Sequence, residues 1–295
     1  MITKYYRFAG RTLAVISDFP FEESEYTVDF AVPDGENAAD ADFTVRVTRT
    51  AELPAPPDGA AESARYTAWR DPVDGSEMCV RYYCKNINCR RVPYSFAVRR
   101  GRHTEVGFAR DAEIGITARV ILEAAGLVGI LLDAGCIVLH SSFVLSDGAA
   151  VIFSGASGAG KSTQAEQWRR AFGAEVINGD RTLISLRDGG ADACGIIWCG
   201  TSGICRNETA PVRVIALVSH GETNSVRPAS PIVAFTAVLG QTTYDTKNPR
   251  EVGAATAVCA DLVSRVPVVR FSCLPDESAA QYLRKYLDEV DKNGK

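Results

Sequence analysis

The second half of the chain takes its fold from one stretch, Ala149-Ala150-Val151-Ile152-Phe153-Ser154-Gly155-Ala156-Ser157-Gly158-Ala159-Gly160-Lys161-Ser162. Its first six residues form a continuous apolar run, which is typical of a strand covered on both faces. Gly155–Ser162 then matches the pattern G-x-x-x-x-G-K-[ST]. A helix is predicted over Ser162–Phe172, and Gly173 is its predicted C-terminal stop. Because this pattern requires a strand before it and a helix after it, the stretch predicts an α/β domain.

The composition of this loop points to a phosphate ligand. Its glycines let backbone N–H groups turn inward, and the following helix adds the positive end of its dipole. Lys161 would hold the β- and γ-phosphates, and the Ser162 hydroxyl would bind magnesium. We therefore expect ATP and Mg²⁺ as cofactors, with a glycine-rich turn that holds no ligand as the alternative. The predicted nucleotide-binding residues are Gly155, Ala156, Ser157, Gly158, Ala159, Gly160, Lys161, Ser162 and Thr163.

Two further side chains are candidates for the chemistry. Asp180 follows the predicted strand Glu175–Asn178, and we expect it beside the loop in a parallel sheet, binding Mg²⁺ together with Ser162. His140 ends the predicted strand Cys136–His140. If that strand neighbours the strand before the loop, its imidazole reaches the γ-phosphate. The alternatives are an ordinary turn aspartate and a histidine satisfied in the core.

Three segments carry a family resemblance: Leu139-His140-Ser141-Ser142, Val151–Thr163 and Asn178-Gly179-Asp180-Arg181. Together they resemble the HPr kinase/phosphorylase and PEP carboxykinase superfamily over about residues 136–220. The resemblance implies a PEP carboxykinase/HPr kinase-like P-loop kinase domain. It also implies that His140 points at the metal or phosphate, and that Asp180 binds the metal and assists catalysis.

A fourth segment, Trp198–Gly203, looks like a loop of HPr-kinase-related proteins. Arg206 follows it and is a candidate transition-state cation, with a solvated surface arginine as the alternative. The predicted catalytic residues are thus Asp180, His140, Lys161 and Arg206, and the predicted metal ligands are Ser162 and Asp180.

The chain departs from that superfamily in its carboxylates. HPr kinases carry two consecutive aspartates where this chain has Gly179-Asp180, and the missing one is a proposed proton acceptor. General-base assistance is worth roughly 10²–10⁴ in rate, whereas a loose phosphoryl transition state first needs charge stabilisation. The C-terminal signature of true HPr kinases is not found, so HPr is a poor candidate for the substrate. The chain is also too short for a full PEP carboxykinase.

These residues predict an ATP-dependent kinase that transfers the γ-phosphate to a hydroxyl. The acceptor would be Ser or Thr of a peptide or small protein, or else a small metabolite. The alternative from another class is a nucleotide-gated binding or regulatory module without transfer activity. A net charge of −4 argues against nucleic acid or a membrane as the partner. Nine cysteines without a visible secretion signal predict a cytoplasmic protein, and a homo-oligomer is left open.

Residues 1–110 are predicted to form a β-rich domain for recognition or scaffolding, and residues 111–295 the P-loop domain, so the expected class is α/β, or α+β overall. Three cysteines, Cys79, Cys84 and Cys89, are interpreted as buried strand thiols because their spacing differs from zinc motifs. A long apolar helix is predicted over Ile114–Ala134, ended by Gly135. Period-two patterns predict strands at Thr27–Val32, Phe43–Val47, Arg65–Trp69, Met78–Tyr83, Tyr94–Val98 and Glu105–Ala109.

The part of the chain after the loop helix is predicted to be mixed. A hairpin is expected from Thr182–Leu186 and Ala191–Trp198, and a strand at Val212–Val218. Two helices begin with a cap residue and proline, over Ile232–Leu239 and Arg250–Arg265. The strand Pro267–Cys273 and the amphipathic helix Asp276–Asp291 close the chain.

Overall fold

The chain divides into two compact units. The computed structural model describes residues 1–33, 40–84 and 90–293. The first unit is Met1–Ile130 and the second is Leu131–Lys295. The division falls about twenty residues beyond the predicted boundary at residue 110, because the helix α1 (Ala118–Ala124) belongs to the first unit. Within that unit, Arg81 Nε donates a hydrogen bond to the Ala124 carbonyl oxygen at 3.3 Å.

The first unit contains a mixed eight-stranded sheet in the part of the chain that the structure describes. Its strands are β1 (Ile2–Phe8), β2 (Arg11–Ser17), β3 (Phe43–Thr50), β4 (Ala61–Glu62), β5 (Tyr66–Arg70), β6 (Glu77–Cys84), β7 (Arg91–Arg100) and β8 (His103–Ala109). They lie in the order β1-β2-β3-β8-β7-β6-β5-β4. The β2–β3 and β3–β8 pairs are parallel, and the other neighbours are antiparallel. The predicted strands after residue 40 are therefore confirmed, whereas β1, β2 and β4 were not predicted.

The strand predicted over Thr27–Val32 is wrong, because Val28–Phe30 form a single 3-10 turn. The Thr27 hydroxyl accepts a hydrogen bond from the Ser24 N–H at 2.9 Å and donates one to Glu23 Oε2 at 2.8 Å. These local side-chain bonds compete with sheet pairing and favour a turn. The alternation of apolar residues in this segment therefore does not reflect an extended backbone.

The long helix predicted over Ile114–Ala134 is instead two short ones, α1 and α2 (Leu127–Asp133). Gly126 separates them with a φ of +76°, a left-handed conformation that interrupts an α-helix. Gly135 ends α2 as predicted, and its N–H donates a hydrogen bond to the Leu132 carbonyl oxygen at 3.0 Å. Among the described helices, none combines the length and the apolar content needed to span a bilayer.

The cysteines of β6 differ from each other. Cys84, at the exposed end of the strand, is disulfide-bonded, so the prediction of a buried thiol is wrong at this position. Cys79 is partly buried and forms no disulfide. Cys89 lies outside the described residues. The other described cysteines that form no disulfide are Cys136, Cys194, Cys199, Cys205, Cys259 and Cys273.

The second unit combines a nine-stranded sheet with four helices in the described part of the chain. Its strands are β9 (Cys136–Ser146), β10 (Ala149–Ser154), β11 (Glu175–Asn178), β12 (Arg181–Arg187), β13 (Gly190–Cys194), β14 (Thr209–His220), β15 (Ser225–Pro228), β16 (Thr242–Thr243) and β17 (Val268–Cys273). Its helices are α3 (Lys161–Phe172), α4 (Pro231–Gln241), α5 (Pro249–Arg265) and α6 (Glu277–Asn293). The predicted elements of this half are present, but β9 runs on to Ser146, so His140 lies within the strand and not at its end, and β13 ends at Cys194, four residues before the predicted Trp198. The chain is a mixed α/β protein.

Helices cover this sheet on both faces. On one face, β10 contributes Ile152 to a core formed with α4 and α5. On the other face, Val151 and Phe153 pack with Trp168 of α3 and with α6. Burial of each such side chain stabilises the fold by roughly 1.5–3 kcal/mol. The continuous apolar run before the loop is therefore explained, because alternate residues of β10 enter different cores.

The strand β9 lies at the centre of the sheet. It pairs antiparallel with β10 on one side and with both β11 and β12 on the other. The path β9-β12-β13-β14 returns to β10, which pairs in parallel with β14, so five strands close into a ring. Glu175–Asn178 was expected beside the loop strand in a parallel sheet. That expectation is wrong, because β9 lies between β11 and β10.

Candidate functional site

The loop Gly155–Ser162 joins the C-terminal end of β10 to the first turn of α3. Gly155 has a φ of +145°, and a Cβ there would lie 2.8 Å from the Val218 carbonyl oxygen of β14. Gly160 precedes the helix with a φ of +99°, again in the left-handed region that favours glycine. The two glycines that the motif fixes are therefore required by this backbone. The loop ends at the N-terminus of α3, where the helix dipole favours an anion.

Lys161 is the first residue of α3 and is buried. Its Nζ donates hydrogen bonds to the carbonyl oxygens of Gly155 at 3.0 Å and Ala156 at 3.1 Å. Burial lowers the pKa of Lys161, whereas the charge of Asp180 opposes that shift and the charge of Arg181 adds to it. The ammonium group is thus held inside the loop, within electrostatic range of the candidate carboxylate.

An imidazole, a carboxylate and a guanidinium meet where β9 and β12 pair. His140 of β9 lies opposite Arg181 of β12. Asp180 occupies the turn between β11 and β12, with its Oδ1 3.3 Å from His140 Nε2 and its Oδ2 3.6 Å from Arg181 Nε. The structure therefore brings the predicted residues His140 and Asp180 into contact. It adds Arg181, which the sequence had not singled out.

The pKa of His140 is lowered in this setting. Burial is the largest cause that lowers the pKa of His140 below 6.5, and the charges of Arg181 and Lys161 act in the same direction. The charge of Asp180 and its hydrogen bond oppose the shift. The Asp180 carboxylate, 3.3 Å away, therefore contacts an imidazole whose protonated form is disfavoured by burial. The Ser154 hydroxyl fixes the backbone of His140 by donating to its carbonyl oxygen at 3.0 Å.

Asn178 builds the turn that carries Asp180. Its side chain is fully buried. Its Oδ1 accepts hydrogen bonds from the N–H groups of Asp180 at 3.0 Å and Arg181 at 2.9 Å, and its Nδ2 donates to the carbonyl oxygens of Ile196 at 2.9 Å and Trp198 at 3.0 Å. Sequence reasoning gave Asn178 no role. The available signal was an asparagine at a strand end, two residues before the candidate carboxylate, which is the spacing of an Asx turn.

The segment Trp198–Gly203 packs directly on the Gly179-Asp180 turn. A Cβ at position 179 would lie 2.5 Å from Ser202 Cβ, and a Cβ at Gly200 would lie 2.7 Å from Asp180 Cγ. Side chains do not approach each other this closely, so both glycines are sterically required. The Ser202 side chain therefore fills the space where a second aspartate would project. With the loop in this position, residue 179 has no room for a second carboxylate.

Two side chains lie in places that the sequence did not suggest. His220, the last residue of β14, has its Nε2 2.9 Å from the Gly158 carbonyl oxygen of the loop. Arg206, the predicted transition-state cation, has its Nη1 2.7 Å from Glu175 Oε2. Glu175 begins β11, and the other end of that strand, Asn178, is about 10 Å away at the usual rise of a strand. Asp180 follows that other end. The structure therefore does not bring Arg206 together with the other candidates.

The residues predicted to bind Mg²⁺ fit a site completed by a ligand. In the described part of the chain, no three His, Cys, Asp or Glu side chains converge on one metal position. Ser162 is exposed in the first turn of α3, and Asp180 is half-buried. Mg²⁺ is usually held by one or two protein oxygens together with phosphates and water. A hydroxyl and one carboxylate therefore suit Mg²⁺ that arrives with a nucleotide.

Comparisons with known proteins give a distant structural likeness. No protein-family model matches the chain, and no curated protein matches it. Among solved structures, the chain is similar to the HPr(Ser) kinase/phosphatase from Coxiella burnetii. The identity is 12%, the match covers 53% of this chain and 96% of the other, and the TM-score is 0.29. Conclusions about function therefore depend on the geometry of the site.

Proposed function

We propose that this protein is an ATP-dependent phosphotransferase with a P-loop domain of the HPr kinase and PEP carboxykinase type. ATP would bind on Gly155–Thr163 with Mg²⁺, and the γ-phosphate would pass to a hydroxyl. One observation carries the proposal. A glycine loop with left-handed backbone and a buried lysine lies within electrostatic range of Asp180, and Asp180 Oδ1 lies 3.3 Å from His140 Nε2. A phosphate-binding loop alone would support binding, whereas the adjoining carboxylate supports transfer.

Each residue has a physical role in this proposal. Lys161, which now donates to loop carbonyl oxygens, would exchange them for phosphate oxygens of the bound nucleotide. Ser162 and Asp180 would hold Mg²⁺, which supplies neutralisation of phosphate charge when bound. Asp180 is also the group that would accept the proton of the acceptor hydroxyl. His140, whose Nε2 lies 3.3 Å from Asp180 Oδ1, would orient that carboxylate.

The acceptor that we favour is Ser or Thr of a peptide or small protein, with a small metabolite as the variant. Peptides, small proteins and small metabolites would all be accessible to a cytoplasmic enzyme. The mildly acidic chain, at a net charge of −4, offers no general attraction for nucleic acid. The first unit, with its mixed sheet, would then recognise the acceptor or serve as a scaffold.

A second candidate function is a nucleotide-gated binding module without transfer. The observation that favours it is the packing of Gly200 and Ser202 on the Gly179-Asp180 turn, which takes up the space of a second carboxylate. Without that carboxylate, one contribution to proton removal is lost. Such a contribution is worth roughly 10²–10⁴ in rate.

The test measures nucleotide binding and transfer separately. Calorimetry with Mg-ATP and Mg-ADP reports binding, and labelled ATP with a panel of peptides, proteins and metabolites reports transfer. Asp180→Asn should keep the nucleotide bound through the loop and Lys161, weaken the hold on Mg²⁺, and lose transfer by roughly 10²–10⁴. The matched control is Asp192→Asn in β13, because Asp192 forms an ion pair with Arg187 at 2.8 Å elsewhere in the sheet. Binding without transfer in the wild type would favour the module, and no binding at all would reject both functions.

A further inference from the structure

We propose that Arg181 binds the γ-phosphate of the nucleotide and stabilises the charge that develops on it during transfer. This inference rests on the proposed phosphotransferase function and names a residue that the sequence pattern did not point to. An arginine in this role would replace Arg206, whose guanidinium is engaged with Glu175.

The position of Arg181 is fixed by its backbone. Its N–H donates a hydrogen bond to Asn178 Oδ1 at 2.9 Å, and it lies opposite His140 in the β9–β12 pair. It also follows Asp180 directly in the chain. Because Asn178 is fully buried and holds both N–H groups of this turn, the start of the Arg181 side chain is as well defined as the carboxylate.

The Arg181 guanidinium has N–H groups that can donate hydrogen bonds to an anion. Its Nε lies 3.6 Å from Asp180 Oδ2, and its Nη1 donates to the Asp180 carbonyl oxygen at 3.4 Å. Both distances exceed the 2.7–2.9 Å or so that is typical of a strong charge-assisted hydrogen bond. A guanidinium carries five N–H donors in a fork that matches phosphate geometry. The contacts to Asp180 therefore leave this fork able to donate hydrogen bonds to a pair of phosphate oxygens.

The charge of Arg181 acts where the γ-phosphate would lie. Its side chain is 28% exposed, so it is neither fully solvated nor sealed in the core. It pairs with His140, whose carbonyl oxygen accepts a hydrogen bond at 3.0 Å from the hydroxyl of Ser154, the residue directly before the loop. If Asp180 bound a metal ion, its attraction for Arg181 would weaken. The guanidinium would then need an anion, which the γ-phosphate supplies.

The transfer step balances without any covalent role for Arg181. The bond between the γ-phosphorus and the β,γ-bridging oxygen breaks, and a bond forms between that phosphorus and the acceptor oxygen. ADP leaves, and the acceptor proton passes to Asp180 and then to water. Arg181 stays protonated throughout and acts on the equatorial oxygens, where charge is concentrated in a loose transition state.

The experiment compares diphosphate and triphosphate ligands across four variants. Calorimetry measures the affinity for Mg-ADP and for Mg-bound β,γ-imido-ATP. Single-turnover assays with labelled ATP measure release of the γ-phosphate. The variants are Arg181→Gln, Arg181→Lys, Arg206→Gln and the matched control Arg187→Gln. Arg187 lies on the same strand as Arg181 and pairs with an aspartate at 2.8 Å, away from the loop.

We expect Arg181→Gln to keep the Mg-ADP affinity within about twofold, to lose about tenfold or more in triphosphate affinity, and to lose roughly 10³-fold or more in turnover. Arg181→Lys should recover part of the turnover, since it keeps the charge without the fork. Arg187→Gln and Arg206→Gln should match the wild type.

Three outcomes would overturn the inference. Equal losses for diphosphate and triphosphate in Arg181→Gln, with Arg181→Lys restoring both, would assign a structural role. Unchanged triphosphate affinity and turnover would remove Arg181 from the reaction, and a selective loss in Arg206→Gln would return the role to that residue. If the wild type binds Mg-ADP but the Arg181 variants do not differ from it in these ways, only the inference is refuted. If the wild type binds neither nucleotide, the proposed function is rejected as well.

Discussion

The packing of Ser202 on Gly179 leads to a sharp prediction about stability. The perturbation is Gly179→Ala, which adds one methyl group next to the candidate carboxylate. Gly179 does not have a positive φ, so alanine can adopt its backbone conformation. In an open environment this substitution would stabilise the protein by roughly 0.4–1 kcal/mol through the unfolded state. Here the new Cβ would lie 2.5 Å from Ser202 Cβ and closer still to its Oγ.

The expected magnitude follows from the two opposing effects. Forcing a methyl into occupied space costs roughly 1–3 kcal/mol, which exceeds the gain from the unfolded state. Gly179→Ala should therefore lower the free energy of unfolding by about 1–2 kcal/mol. Ser202→Gly removes both close atoms and leaves Ser202 Cα at 4.0 Å, an ordinary contact distance. In that background Gly179→Ala should cost less than about 0.5 kcal/mol, so the double-mutant cycle gives a coupling of roughly 1–2 kcal/mol.

Urea unfolding followed by tryptophan fluorescence measures these changes. Two of the three tryptophans, Trp168 and Trp198, lie in the second unit. Gly253→Ala serves as the matched control, because a Cβ at this position of α5 would have no atom within 4 Å. This substitution should raise the free energy of unfolding by about 1 kcal/mol, since alanine favours a helix more than glycine does. If Gly179→Ala behaves like this control, or if the coupling with Ser202→Gly is absent, Ser202 does not occupy the space beside residue 179.

Two other predictions concern the same site. Asn178→Ala should lower the free energy of unfolding by roughly 2–4 kcal/mol, because four hydrogen bonds lose a fully buried partner. Urea unfolding measures this change, and a loss near zero would contradict these four hydrogen bonds. Because the pKa of His140 is lowered in the folded state, its contribution to stability is present above pH 6.5 and is lost as the pH falls through the folded-state value. His140→Gln should therefore reduce the loss of stability between pH 7.5 and pH 5, and equal slopes in urea titrations of both proteins would rule out this linkage.

Much of the architecture could be predicted from local pattern. The strand, loop and helix around Gly155–Ser162 are where the sequence places them, because glycine positions, apolar runs and caps act over a few residues. The predictions fail where one local sequence pattern is compatible with two different backbone conformations. Thr27–Val32 alternates like a strand but forms a turn, and Ile114–Ala134 is apolar like one helix but is broken at Gly126.

The candidate site was predictable in its parts but not in its arrangement. His140, Lys161 and Asp180 each carry a chemical signal in the sequence, and the fold brings these side chains within range of one another. Arg206 and Arg181 look alike in sequence, since each is an arginine near the end of a polar turn. Only the pairing of β9 with β12 sets Arg181 beside the imidazole, while the start of β11 draws Arg206 towards Glu175.

By itself, the sequence determined the loop, the helix behind it and the identity of the charged side chains, because these depend on backbone conformations available to neighbouring residues. Tertiary structure alone decided that β9 lies between the loop strand and Asp180, and that Ser202 fills the space beside Gly179. Strand order and close packing join residues far apart in the chain. Their free energy comes from burial and from hydrogen bonds between distant segments, which no local period records.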